Sequence, residues 1–223
     1  MQDDKNRWFI RYVWFFVGVT INAIGVALIT KAELGTSPIS SVALVLSLKF
    51  APSLGQFSFA TNMLFIIVQR ILLKKAFRPL QWLQIGVNLL FSTVLDITMH
   101  CLSWLNPAHL VTQSTVLMLG CAVLGVGISI EVAPDVLIVP GEGIVKAIAL
   151  VSKRPFEKIK IIFDVSSVCL AMVLSYLFFS RLNGLGVGTI FSAFSIGKFV
   201  GLFNKRLGLI RKISILHESF SGT

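Results

Sequence analysis

Asp96, Asp164 and Lys198 stand inside long apolar runs, where an ionisable group is costly to hold and by default marks a solute or ion pathway. Counting from the middle of each run at about 1.5 Å per helical residue, Asn62 and Asp96 fall slightly to one side. Asp164 and Lys198 fall slightly to the other. The reading is an outer polar layer, Asn62 with Asp96, and an inner one, Asp164 with Lys198. The inner two match in depth, as an ion pair holding two helices together or as part of a transport site. Asp96 has no cation at its level, which suits it to proton or cation coupling. Glu142, between Gly141 and Gly143, opens a short apolar stretch, and Thr36 and Ser37 open another. The two hydroxyls read as caps for the first N–H groups of a helix. Glu142 either caps in the same way or faces a pathway. Two converging helix N-termini favour an anion, and a carboxylate at one of them opposes it. The sign of a solute stays open.

Other chemistry finds no footing. No Gly-rich phosphate loop, metal-spaced His/Cys cluster or nucleophile motif occurs, so no catalytic residue, metal or cofactor is expected, and no enzyme. The three cysteines, Cys101, Cys121 and Cys169, are odd in number and read as packing residues, not as a disulfide framework. Glu131 and Asp135, on either side of Pro134, read as a solvated helix end.

The elements that must position these groups follow from composition. The 223 residues are 55% hydrophobic and 13% charged, with a mean hydropathy of +0.85. Soluble chains carry about 25% charged residues, so an ordinary soluble domain is excluded. Crossing a bilayer takes about 20 apolar residues in a helix. Six runs meet or approach that length: 9–30, 56–73, 80–105, 111–133, 159–179 and 186–203. Two more, 39–50 and 144–151, are too short to cross and read as re-entrant or interfacial half-helices. The first run is too long for a signal-peptide core and is expected to stay in the protein. The fold class is an all-α polytopic membrane protein with six transmembrane helices, forming one membrane domain.

Charge placement gives a topology. Sixteen of the 20 basic residues flank alternate ends of these runs, three lie in the opposite loops, and Lys198 is inside a run. The positive-inside rule then puts both termini in the cytoplasm. This accounts for most of the formal +10 without nucleic acid. The order long run, short run, long run, long run occurs twice, as repeat one (9–105) and repeat two (111–204), followed by a cytoplasmic tail (205–223). The 39–47 stretch aligns with 144–152, Asn62 with Asp164, Gly86 with Gly188 and Asp96 with Lys198. Three crossings per repeat would set the second copy upside down, an arrangement common among transporters with sites at the repeat interface.

The motifs Gly35-Thr36-Ser37-Pro38, Gly55-Gln56-Phe57, Pro140-Gly141-Glu142-Gly143, Phe163-Asp164-Val165-Ser166, Gly188-Thr189 and Gly197-Lys198 carry a resemblance. In their order the chain resembles the YczE/YitT-type group of bacterial integral membrane proteins, most closely the YczE-like branch, to about Asn204. The resemblance implies a bacterial plasma membrane and no settled substrate. Three functional readings follow. The first is a transporter or permease for a small solute or ion, with a pathway past Asp96, Asp164, Lys198 and Glu142. The second is a substrate-binding or accessory subunit of a larger transport or secretion complex, with the Ala23–Ala27 small-residue pattern facing a coupling subunit. The third is a non-transporting scaffold. The lipid bilayer is the partner all three require, and a homodimer would also suit a chain of this size.

Overall fold

A computed structural model describes residues 2–210 and 213, with side chains from residue 8 onward. Lys5, Arg7, Arg211, Lys212 and most of the 205–223 tail lie outside the described side chains. Eight helices are described: α1 (Gln2–Lys31), α2 (Ser41–Lys49), α3 (Leu54–Leu73), α4 (Gln84–Cys101), α5 (Leu110–Val132), α6 (Pro140–Ser152), α7 (Phe156–Phe179) and α8 (Val187–Arg206). No strand occurs among the described residues. Six segments are long and apolar enough to cross a membrane, within a few residues of the runs read from hydropathy. The third ends at Cys101 and not at Leu105, because residues 102–105 turn back through short-range hydrogen bonds. The fold is therefore the all-α polytopic one.

The central seam joins α1 to α5. Gly18 lies against Glu131, Asn22 against Gly127, Gly25 against Leu124, and Ile29 against Gly120. Partner numbers fall as α1 numbers rise, so the leading helices of the two halves are antiparallel, as an inverted duplication requires. A Cβ on Gly25 would meet the Leu124 backbone at 2.6 Å. Small residues let membrane helices approach this closely, since lipid tails offer no hydrophobic drive for helix association. Ala23 and Ala27 are fully buried in the same seam. The small-residue pattern is consumed inside the chain, in contact with α5.

Around the seam, α1 packs on α4 as α5 packs on α8. Likewise α3 meets α6 as α2 meets α7, and α2 meets α3 as α6 meets α7. Exchanging the halves thus preserves most neighbours. One pair breaks the rule: α3 packs closely on α4, and α7 does not pack closely on α8.

The short helices differ from expectation in one bound. α2 matches the short run, but α6 starts at Pro140, four residues before the apolar stretch read from the sequence. Proline at a first helical position has a suitable φ and no N–H to leave unpaired. What reads as a break is the first turn of the helix, and Glu142 lies within it. Arg11 also departs from its reading as a flanking charge. It is 5% exposed and donates to the Pro134 carbonyl at 2.7 and 3.0 Å and to that of Asp135 at 3.2 Å. It therefore clamps α1 to carbonyls just past the end of α5, where a cation is favoured.

Candidate functional site

The N-terminal ends of the two half-helices meet. Ile39, leading into α2, lies 3.3 Å from where a Cβ on Gly141 of α6 would sit. Neither helix has a side-chain cap. The expected capping by Thr36 and Ser37 is replaced by other bonds, because the N-cap of α2 is Ser40. Ser37 Oγ donates to Ser40 Oγ at 2.9 Å. Thr36 is fully buried: its hydroxyl bonds that of Thr30, its N–H donates to Thr189 Oγ1, and its carbonyl accepts from Ser192. Thr36 therefore fixes the lead-in of α2 to α8.

Between the two N-termini lies a cavity of about 390 Å³, within the range of small-molecule sites. Ser37 and Ser40 line it from the α2 side, and Gly141 and Glu142 from α6. Ser58 and Asn62 of α3, Asn88 of α4, and Lys160 and Asp164 of α7 supply further polar wall. Asn62 Nδ2 donates to Asn88 Oδ1 at 2.9 Å, and Asn88 Nδ2 to the Phe59 carbonyl at 3.0 Å. Ser58 is 5% exposed, and its hydroxyl makes no hydrogen bond among the described residues.

Of the candidate residues, Glu142, Asp164, Asn62 and Ser37 meet at this cavity. Asp164 does not pair with Lys198. Its partner is Lys160, 3.0 Å away and one helical turn earlier. Matching depths say nothing about rotation around a helix axis, and Lys198 points outward, exposed on α8. Lys160, counted in the sequence as a flanking basic residue, is half-buried in the site. Asp96 lies apart from the cavity. It accepts hydrogen bonds from Ser53 Oγ and from the Gly55 N–H, so it braces the first turn of α3.

A second cavity, of about 880 Å³, adjoins the first and is lined by Glu131, Asp135, Lys146, Lys153 and Arg154. Glu142 lines both cavities. Burial raises the Glu142 carboxyl above its ordinary value of 4.5; Lys160 lowers it in part and Asp164 raises it further. Glu131, expected in solvent, is 2% exposed and accepts from Asn22 Nδ2 at 2.9 Å. The α1–α5 seam closes over it. Behind α6, the buried amides of Gln69 and Gln84 bond each other, and Gln69 donates to the Pro140 carbonyl at 3.2 Å. They fasten α3 and α4 to the start of α6. Lys160 was legible from its spacing of four to Asp164. The glutamines and Asn88 were visible as polar residues in or beside apolar runs, with nothing to say which way they faced. No three metal-binding side chains cluster among the described residues.

No curated protein and no solved structure matches the chain. A family match runs from residue 9, in α1, to residue 205 at the end of α8, taking in both half-helices and the whole cavity. On that match the chain belongs to DUF6198, a family of unknown function.

Proposed function

We propose that this protein is a small permease, moving a solute or ion through the cavity between its two half-helices. The observation that supports this most is the position of Glu142, a carboxylate shared by two adjoining cavities at the N-terminus of a half-helix. A purely structural charge would be enclosed by partners; Glu142 faces space on both sides. With the termini cytoplasmic, the second cavity, lined by three acidic and three basic side chains, is the inner vestibule and the first cavity lies at mid-depth. The location that goes with this reading is a bacterial plasma membrane, in keeping with the YczE-like resemblance. Glu142 and Asp164 outnumber Lys160 around the first cavity, so a neutral or cationic solute is favoured over an anion.

Uptake by proteoliposomes tests this. The purified chain should take up at least one solute from a panel of polyols, neutral amino acids and organic cations. Glu142→Gln should slow it about tenfold with folding intact, and Lys198→Ala should leave it unchanged. In a background without the exposed Cys101 and Cys169, Ile138→Cys and Thr61→Cys should react with membrane-impermeant thiol reagents. Uptake of no solute, together with inert cysteines at both positions, overturns the proposal.

A further inference from the structure

α7 and α8 are consecutive, joined through residues 180–186, yet they do not pack closely together as α3 and α4 do. The residues that close the first seam have changed in the second. Asn62 bonds Asn88 across α3 and α4, whereas Asp164, aligned with Asn62, bonds Lys160 of its own helix. Asp96 bonds the start of α3, whereas Lys198, aligned with Asp96, is exposed.

The first cavity reaches the surface at this gap. Its lining is buried or half-buried except at Ile161 of α7 and Ala193 and Gly197 of α8. A Cβ on Gly197 would meet nothing within 4 Å, although Gly197 lines the cavity. The rim is apolar, with Ile161, Ala193 and Ile196, while the interior offers carboxylates, amides and the unpartnered Ser58 hydroxyl. Most of the interior is apolar too, with Val26, Phe91, Leu124 and Ile128 in its wall, so the few polar groups stand out against an apolar lining. An amphiphile matches both.

We propose that the slot between α7 and α8 is a lateral portal. Through it a single-chain amphiphile with an uncharged, hydroxyl-bearing head enters from the bilayer, head in the cavity and alkyl chain in the slot. The inference rests on the permease reading of the same cavity and names its substrate class. Two of the three charges around the head are carboxylates, so an anionic head is disfavoured.

Photolabelling of the full chain in phosphatidylcholine vesicles tests the portal, with monoacylglycerols carrying a diazirine either beside the head or at the chain end. The head-proximal probe should label residues 37–43 and 139–142, and the chain-end probe residues 161–165 and 193–200. A fatty acid with the same diazirine should label the cavity less. Gly197→Trp, at a position with free space, should cut cavity labelling about tenfold, with labelling of the outward residues Leu64 and Ile67 unchanged as the control for folding. Ala193→Trp should do the same. Labelling confined to outward helix faces overturns the portal, as does cavity labelling indifferent to both tryptophans. A disulfide between two copies at Ile161→Cys with an unlabelled cavity assigns the slot to a dimer interface and equally overturns it. Cavity labelling without uptake of any probe supports the amphiphile site and removes the permease reading. Uptake of polar solutes with no cavity labelling does the reverse.

Discussion

The carboxylate of Asp96 receives a hydroxyl from Ser53 and an N–H from Gly55, and so stands in for the missing turn ahead of α3. Asp96→Asn weakens that brace without touching the cavity. The expected result is a loss of about 1–2 kcal/mol in unfolding stability, measured in detergent, with uptake rates preserved. Glu142 behaves differently because it is half-buried beside space. The folded chain keeps its proton at pH values where the unfolded chain has released it, so stability falls as pH rises from about 4.5 toward the raised value. Thermal unfolding across that window should show this downward slope, and Glu142→Gln should make it shallower. A variant with the wild-type slope would mean that another group carries it. Sequence alone marks both residues as carboxylates in or beside apolar runs. What separates them is which neighbour folds back onto each, and no spacing within one helix reveals that.

Six crossings were legible because span length is set by bilayer thickness, so hydropathy reports it directly. The start of α6 was not, since Pro140-Gly141-Glu142-Gly143 has the composition of a turn. Packing against Gln69 and Ile39, together with the suitable φ of Pro140, makes a helix of it. The same limit hid the outward turn of Lys198: hydropathy gives depth along an axis but not the angle around it. Glycines sort themselves by what faces them. Gly25→Leu would drive a side chain into the Leu124 backbone and should cost about 3 kcal/mol or prevent folding. Gly201→Leu, where a Cβ meets nothing within 4 Å, should leave the melting temperature in place. Equal effects of the two would show that the α1–α5 seam is looser than described.

Over the whole molecule, the preserved pattern of neighbours and the antiparallel leading helices agree with the duplication read from the sequence; the unpacked α7–α8 pair was invisible there. The aligned residues differ there, as with Asp164 in place of Asn62. Orientation remains a matter of charge, and two exposed positions test it. Asn106→Cys should react with an impermeant thiol reagent from outside intact cells, and Ala76→Cys only after the membrane is opened. The reverse pattern would turn the chain over and make the second cavity the external vestibule. The α1–α5 seam also has a consequence for the timing of synthesis. α1 leaves the ribosome before α2, α3 and α4, yet its glycine face finds a partner only when α5 is complete. During that interval the first span must wait in the membrane with Gly18 and Gly25 uncovered and Arg11 without the carbonyls that later receive it. The nascent chain is therefore most exposed to mispairing and quality control midway through its own translation, and the fifth helix ends that hazard.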